Sequence, residues 1–548
     1  MHNQVKQQIA QVLSLDAEKI ILERPKDQKF GHYATPISFV IAKEKKQNPN
    51  IIAEGIVQTL LESPLKDSIF AKIQAVGGFI NFTLSAQFLC QLCDLALESG
   101  EHFGKQQKDK KILLEFVSAN PTGPLHIGHA RGAVLGDSLA SLGRHLGYQI
   151  TTEYYVNDAG NQIFLLGLSV YLAVRESLGL DVEYPEQFYR GEYILEIAKK
   201  ALCEFGEEFF HAESNIPIIS SFAKDLMLQE IQQNLAQIGI TFDSYVSEKT
   251  LYTQWDSIKS KLLQNGGIYE QDSKIWIKSE SFGDEKDRVV VRESGEPTYL
   301  AGDIIYHHDK FNRHFEHYIN IWGADHHGYI TRVKAAISLL GFDSSKLEVL
   351  LSQMVTLLKG GEPYKMSKRA GNFILMSDVI SEVGADVLRF VFLSKKNDTH
   401  LEFDVEDFKR EDSSNPIYYI HYAYARIHTL FERSQKTQQQ IRQTSLEKLF
   451  SDETIKKDAQ DLLFLSLQLS QVIEDAFTSR NLVKMSDYLK NLANVFHRFY
   501  TEHRVIQTPL ELELLKLCQM VALSLNVGLG LLGIQAKTSL YRQGADNA

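Results

Sequence analysis

A chain of 548 residues is too long for one hydrophobic core, and a prior of about 150 residues per domain implies three or four domains. Its 44% hydrophobic and 23% charged residues fit a soluble globular protein. The formal net charge of −11 excludes reading a nucleic-acid partner from overall charge, because a polyanion would have to be met by local basic patches against long-range repulsion.

The opening Met1-His-Asn-Gln-Val-Lys has no basic segment followed by an apolar stretch and does not read as a secretory signal. Apolar residues at Val5, Ile9, Val12 and Leu13 predict a helix, and Gly78-Phe-Ile-Asn-Phe-Thr83 predicts a strand closing a small α/β domain. The cysteines Cys90, Cys93, Cys203 and Cys518 do not make a disulfide framework in a chain of this size. Cys90-x-x-Cys93 lacks a second pair or nearby histidines, so no metal or redox role is expected there, and a reduced, cytoplasmic setting fits best. The polar Lys105-Gln-Gln-Lys-Asp-Lys-Lys111 reads as a linker.

The apolar run 112–117, with Glu115 inside it, predicts a buried parallel strand. An Asn-Pro-Thr-Gly-Pro loop follows, then a helix over about 129–146 and a second strand over 150–156. Strand, helix and strand in this order are half of a doubly wound nucleotide-binding fold. The interval from about 165 to 263 is rich in helical periodicity and acidic residues and reads as an insertion. Strand signals return at Ile304, 318–322 and 353–358, giving a second α/β half and a crevice at the switch point between the halves. From about Ser413 the pattern is helical almost to the end, interrupted by a Gln-rich loop near 435–445. The apolar stretch Val521 to Ile534 contains Asn526, Gly528 and Gly530 and falls short of the roughly 20 residues a spanning helix needs, so it reads as a buried helix and no membrane partner is expected. The expected fold class is α/β and multidomain. It comprises a small N-terminal α/β domain over 1–105, a Rossmann-like doubly wound parallel-sheet catalytic domain over 106–400 with an insertion at about 165–290, and an all-α C-terminal domain over 401–548.

Two basic motifs carry the chemistry. In Ser118-Ala-Asn-Pro-Thr-Gly-Pro-Leu-His-Ile-Gly-His129, prolines stiffen the turn, Gly123 and Gly128 let a ligand approach the backbone, and His126 and His129 sit at a helix start. The helix dipole and imidazole donors can hold triphosphate charge without acting as general bases. The plainer reading is a turn whose histidines cap the helix. Far downstream, Lys359-Gly-Gly-Glu-Pro-Tyr-Lys-Met-Ser-Lys-Arg-Ala-Gly-Asn372 is a glycine-rich loop offering the cations Lys365, Lys368 and Arg369. Mobile lysines can close over the β- and γ-phosphates and stabilise departing pyrophosphate, whereas a solvated basic loop is the plainer reading.

With these two signatures the chain resembles the class I aminoacyl-tRNA synthetases, and the extended Glu115 to His129 motif resembles the arginyl-tRNA synthetase family over essentially the whole chain. The resemblance implies an ATP-dependent arginine–tRNA ligase, which forms arginyl-adenylate and pyrophosphate and transfers arginine to the terminal adenosine of its cognate tRNA. It implies catalytic roles for His126, His129, Lys365 and Lys368, and ATP contacts from His126, Gly128, His129, Asp325, His326, Lys365, Met366, Ser367 and Lys368. Ser118, Asn120 and His129 are implied at the amino-acid backbone end of arginine. Tyr299 and Asp303, from Tyr299-Leu-Ala-Gly-Asp303, are implied around the guanidinium, whose fixed donors suit a carboxylate; Glu248 is a further acidic position on a looser alignment. A strand-edge tyrosine, a helix cap and a surface histidine pair are the plainer alternatives at these places. Arg332 stands where many relatives have glutamine, and a cation there would sit awkwardly beside substrate arginine.

The same resemblance implies that Phe79 stacks on a base of the tRNA elbow while Asn81 reads its edge, and that Tyr424 and Arg426 contact the anticodon end. Core packing is the alternative for each. The final segment from Ala536 departs from the ending common in relatives. Magnesium is expected to accompany ATP, with no protein-bound metal or prosthetic group, and a cytoplasmic monomer is the family expectation. Efficient arginine activation is expected to need tRNA. The rivals are a synthetase for another amino acid, a small nucleotidyltransferase, and a tRNA-binding module without catalysis. The serine–asparagine and tyrosine–aspartate signatures oppose the first, the large helical C-terminal domain the second, and the intact histidine and lysine motifs the third.

Overall fold

A computed structural model of the chain describes residues 1–25, 27–364 and 374–540. At its centre lies a five-stranded sheet, every neighbouring pair parallel. In spatial order its strands are Leu347–Ser352, His317–Gly323, Lys111–Glu115, Gln149–Val156 and Ser244–Ser247. The chain starts in the middle, moves outward through Gln149–Val156 to Ser244–Ser247, then returns to the other side of Lys111–Glu115. The switch point is therefore between Lys111–Glu115 and His317–Gly323, and a ligand crevice belongs at the carboxyl ends of those strands.

Burial explains the strand register. Ile112, Leu113 and Leu114 are at most 4% exposed, as a central parallel strand covered on both faces requires. The helix Ile127–His145 crosses from Lys111–Glu115 to Gln149–Val156. Phe116 packs against it at Gly136, where an added Cβ would come within 2.3 Å of the ring, so only glycine lets helix and strand approach this closely.

Three differences from the sequence reading have local causes. Ile304 is not a strand signal; it lies in the helix Tyr299–Asn312, whose Leu300, Ala301, Ile304, Ile305 and Phe311 form one buried face. The strand expected at 353–358 forms as Val355–Lys359, but it pairs with Leu401–Asp404 and Glu362–Pro363 in a separate sheet, while the fifth strand of the central sheet is Leu347–Ser352. The interval 165–290 is not one insertion. Helices Asn161–Ser177, Glu192–Phe205 and Ile216–Gln237 leave the sheet, Ser244–Ser247 rejoins it, and a small antiparallel sheet of Ile268–Gln271, Lys274–Ile277 and Arg288–Val291 follows.

At the N-terminal end, Tyr33–Thr35, Phe79–Leu84 and Phe70–Val76 form an antiparallel sheet with helices His2–Leu13, Pro49–Leu61 and Ala86–Ser99. Beyond the central sheet, helices Pro416–Ser434, Lys456–Leu467, Leu469–Thr478, Val483–Glu502 and Glu511–Leu531 pack together. The last is long and apolar enough to cross a membrane by composition, and 72% of its most apolar stretch is buried inside the molecule. Lys516 of this helix, 2% exposed, pairs with Asp94 at 2.5 Å and ties the helical region to the N-terminal one. Buried Arg389 donates to Leu532 O at 2.6 Å, Ile238 O at 2.7 Å and Asp137 Oδ2 at 2.5 Å, joining the end of the helical region to the helix that opens with His126. Cys90, Cys93 and Cys518 are buried, and burial pushes the Cys90 and Cys518 thiols up to about 12, away from nucleophilic or redox use.

Candidate active site

The strand Lys111–Glu115 ends in an abrupt reversal. Val117 (φ 69°) and Ser118 (φ 41°) both adopt the left-handed region, costly for any side chain and most for a β-branched one. The reversal turns Ser118 back so that its Oγ donates to Glu115 Oε1 at 2.9 Å and accepts from Tyr155 N at 3.1 Å. Asn120 follows, its amide donating to Gln162 Oε1 at 2.8 Å and hydrogen-bonded to the Tyr299 phenol. Tyr193, from the helix Glu192–Phe205, donates to Thr122 O at 3.1 Å and steadies the proline loop.

His126 caps the next helix. Its Nδ1 accepts from Gly128 N at 3.1 Å, while the His129 ring accepts from His126 N at 3.4 Å, and the two rings stack with centroids 3.6 Å apart. A Cβ on Gly128 would sit 3.0 Å from the His126 ring. Burial holds His126 below the ordinary imidazole range, and burial with the neighbouring His126 pushes His129 down to about 3. Both rings are thus neutral near pH 7 and serve as hydrogen-bonding groups, not as proton carriers. Each of the first two readings, cap and ligand donor, describes the same geometry.

The second motif approaches this helix start through its flank. Ile127 N donates to Ile374 O and Met376 N donates to Leu125 O, both at 3.0 Å, so the chain just after the lysine loop is stitched to the histidine turn. Before the loop, the Tyr364 phenol donates to Glu382 Oε2 at 2.6 Å. Lys365, Met366, Ser367 and Lys368 themselves lie outside the described residues.

Across the crevice, the helix Tyr299–Asn312 carries Tyr299 and Asp303 one turn apart. Tyr299 is 54% exposed, and its phenol is hydrogen-bonded by the Asn157 amide. Asp303 Oδ2 accepts from the Tyr329 phenol. Glu248, 4% exposed at the end of Ser244–Ser247, reaches over the same helix because residue 302 is glycine: its Oε1 lies 2.3 Å from where a Cβ would stand. Oε1 accepts from Tyr252 at 3.1 Å, the Tyr155 phenol lies near the same carboxylate, and among the described residues Oε2 is buried without a hydrogen bond of ordinary geometry. Burial pushes both acids up to about 7, opposed at Asp303 by the Tyr329 hydrogen bond and increased at Glu248 by the charges of Asp303 and Asp158. Among the described residues neither carboxylate has an ion-pair partner. Buried Glu248 and half-buried Asp303, with the phenols of Tyr155, Tyr252, Tyr299 and Tyr329 around them, form an acidic, aromatic-lined cluster whose chemistry suits a planar cation.

Sequence reasoning had no signal for what supports this cluster. Lys310, fully buried, pairs with Glu115 and donates to Asn320 Oδ1 at 2.9 Å, pinning Tyr299–Asn312 to the two strands that flank the switch point. Glu153 accepts from Tyr306 at 2.9 Å and from both Arg313 terminal nitrogens, at 2.5 and 2.8 Å.

The remaining sequence candidates divide. Asp325 and His326 lie on the exposed turn Ala324–Tyr329, at the carboxyl end of His317–Gly323, 3.6 Å apart. Arg332 lies over the Tyr329 ring, its Cζ 5.0 Å from the centroid, and pairs with Asp284 at 3.2 Å, so its charge is met by a carboxylate of its own. Phe79 is 40% exposed beside Phe39, but Asn81 is 5% exposed and presents no free edge to a base. Tyr424 and Arg426 do not form one site. They stand two residues apart on Pro416–Ser434 and face different ways: Tyr424 packs on His428, while Arg426 lies between the Tyr422 and Tyr500 rings, 4.4 and 4.5 Å from their centroids.

Comparison with known proteins bears on this arrangement. Three family models match: "Arginyl tRNA synthetase N terminal domain" over residues 1–84, "tRNA synthetases class I (R), catalytic domain" over 92–424 and "DALR anticodon binding domain" over 420–540. The arginine–tRNA ligase of Wolinella succinogenes is 60% identical over 538 residues, covering 98% of this chain and 99% of the relative. A crystal structure described as a putative arginyl-tRNA synthetase from Campylobacter jejuni superposes with a TM-score of 0.80 at 56% identity, covering 83% of this chain and all of the other. Thermus thermophilus arginyl-tRNA synthetase shares the fold, with a TM-score of 0.75 at 19% identity over 98% of this chain and 99% of the other.

Proposed function

The chain belongs to the arginyl-tRNA synthetase family, and on that premise we propose how its crevice divides the work among its residues. The reaction is ATP-dependent: arginine is activated to arginyl-adenylate with release of pyrophosphate and is then transferred to the 3′-terminal adenosine of tRNA. An oxygen of the arginine carboxylate bonds to the α-phosphorus as the bond to the β-phosphate breaks. The adenosine hydroxyl then attacks the carbonyl carbon and AMP departs.

In our reading Asp303 and Glu248 grip the guanidinium, with Tyr299 beside it, and Ser118, Asn120 and His129 hold the amino-acid backbone end. The observation that carries this assignment is the pair of carboxylates, Glu248 seated over Gly302 and Asp303 next to Gly302 in the chain, which feel each other's charge and have no ion-pair partner among the described residues. Neutral His126 and His129 donate to the phosphates at a helix N-terminus, where the dipole favours negative charge. Lys365 and Lys368 neutralise the departing pyrophosphate, a role supported by the backbone stitching of Ile374 and Met376 to the histidine turn. Asp325 and His326, with Gly128, Met366 and Ser367, complete the nucleotide side.

Magnesium accompanies ATP as its counter-ion, and no resident metal is part of the proposal. Phe79 is the stacking surface offered to the tRNA elbow, and Arg426, framed by Tyr422 and Tyr500, is the cation offered to the anticodon end. We further propose a cytoplasmic monomer whose arginine activation is tRNA-dependent. Pyrophosphate exchange tests the last point: it should be weak without tRNA and restored by it, and equal exchange in both conditions rejects it. Charging total tRNA with arginine, canavanine and lysine tests the receptor, since lysine lacks the planar fork that two carboxylates select.

A further inference from the structure

We propose that Arg332 is a positioning residue for the arginine-selecting carboxylate, holding Tyr329 where its phenol meets Asp303. The proposal rests on the reading of Asp303 as that selector.

Tyr329 ends the turn Ala324–Tyr329 and immediately precedes the helix Ile330–Leu339, which carries Arg332 one turn further on. Its phenol donates to Asp303 Oδ2. Its ring is bounded by Trp322, with centroids 6.2 Å apart, and by the Arg332 guanidinium, whose Cζ lies 5.0 Å from the ring centroid. A cation over a tyrosine face attracts the ring quadrupole and resists rotation away from it.

Arg332 is itself fixed from outside the receptor. Its Nε donates at 3.2 Å to Asp284 Oδ2. Asp284 is 8% exposed and also accepts from Arg288 Nε at 3.0 Å, Arg288 Nη2 at 2.9 Å, Ser279 Oγ at 3.0 Å and Glu285 N at 2.8 Å. These hydrogen bonds and the Arg288 guanidinium hold Asp284 well below the usual carboxylate range, so it stays ionised and keeps its grip on Arg332. Gly283, at φ 96°, makes the turn that delivers Asp284 to this point. The small antiparallel sheet, which ends in Arg288–Val291, thereby acquires a role: it clamps Arg332, Arg332 clamps Tyr329, and Tyr329 orients Asp303.

The link has a protonation signature. Asp303 feels Glu115 and Lys310 from the sheet and its own helix, and it faces Glu248, Tyr252, Tyr155, Tyr299 and Tyr329 around the receptor. Of these, the Tyr329 phenol is the hydrogen-bond donor that favours its ionised form. A displaced Tyr329 leaves Asp303 more readily protonated and arginine less firmly held, with no direct effect on ATP.

The test is steady-state charging by the full-length enzyme across pH, with Arg332→Gln, Arg332→Lys, Tyr329→Phe, the Arg332→Gln/Tyr329→Phe double variant and Asp303→Asn. Arg332→Gln should raise the arginine KM about fivefold, leave kcat and the ATP KM within about twofold, and move the acid limb of kcat/KM for arginine to higher pH. Arg332→Lys, which keeps a cation without the planar face, should fall between wild type and Arg332→Gln. Tyr329→Phe should move the same limb in the same direction, and the double variant should be no worse than Tyr329→Phe alone, because one link acts through the other. Additive effects, an unmoved acid limb, or equal losses in kcat and both KM values overturn the proposal. If Asp303→Asn raises the arginine KM and Arg332→Gln does not, the positioning role alone fails; if Asp303→Asn leaves it unchanged, the selector reading fails with it.

Discussion

Glu248 reaches over the helix Tyr299–Asn312 through a vacancy at Gly302: its Oε1 lies 2.3 Å from the point a Cβ would occupy, and Asp303 follows Gly302 on that helix. A methyl group there meets the far end of a flexible side chain, so the acid swings aside and the helix survives. Alanine is also the better helix former by about 1 kcal/mol. Gly302→Ala should therefore keep or slightly raise the melting temperature while raising the arginine KM at least about tenfold, the scale of one lost charge-assisted contact of about 1.5 kcal/mol. Charging kinetics beside a thermal melt check it; a large fall in melting temperature with an unchanged KM would mean that Glu248 fills space only.

The two acids also set a pH dependence. Both are held up to about 7, so between the ordinary carboxylate range and about pH 7 the folded, free enzyme binds more protons than the unfolded chain. Their contribution to stability is then fully present at low pH and is lost as pH rises through about 7. Arginine binds the ionised pair, so binding releases protons near neutrality, and saturating arginine should raise the melting temperature more at pH 8 than at pH 6. Calorimetry in two buffers of different ionisation enthalpy reads the proton release directly. Proton uptake, or a larger arginine effect at pH 6, opposes the assignment.

Lys310 should behave as a support and not as a ligand. Lys310→Met leaves Glu115 buried without its cation, a change that costs about 3–5 kcal/mol when one member of a buried pair is removed. Replacing both, Glu115→Gln with Lys310→Met, should recover part of that loss. Chemical unfolding of the three proteins measures it. A single variant as stable as the parent would show that the pair does not hold Tyr299–Asn312 to the sheet.

Much of this was legible in the sequence, for identifiable reasons. The strands Lys111–Glu115, Gln149–Val156 and His317–Gly323 stood out because a doubly covered sheet demands continuous apolar runs, and the prolines and glycines after the first marked the loop at the switch point. Leu347–Ser352 was lost to its neighbour Val355–Lys359, because two adjacent runs of Leu and Val satisfy the same pattern and only pairing decides which joins the central sheet. Ile304-Ile305-Tyr306 is strand-prone by composition, yet the contacts that bury its helical face come from elsewhere in the chain. The motif residues of the proposed receptor, Ser118, Asn120, Tyr299 and Asp303, could be named from family resemblance. Gly302, Tyr329, Lys310 and Asp284 could not, because their parts depend on side chains that meet only after folding. Asn81 and the Tyr424–Arg426 pair show the converse, chemically apt residues that folding buries or turns to different faces.

The central claim is that Asp303 selects the guanidinium, and Asp303→Asn tests it most directly because the amide keeps the shape and removes the charge. Steady-state charging should show the arginine KM raised at least about 30-fold, equivalent to about 2 kcal/mol for a buried charge pair broken on one side, with the ATP KM unchanged. An arginine KM equal to that of the parent enzyme would contradict the account.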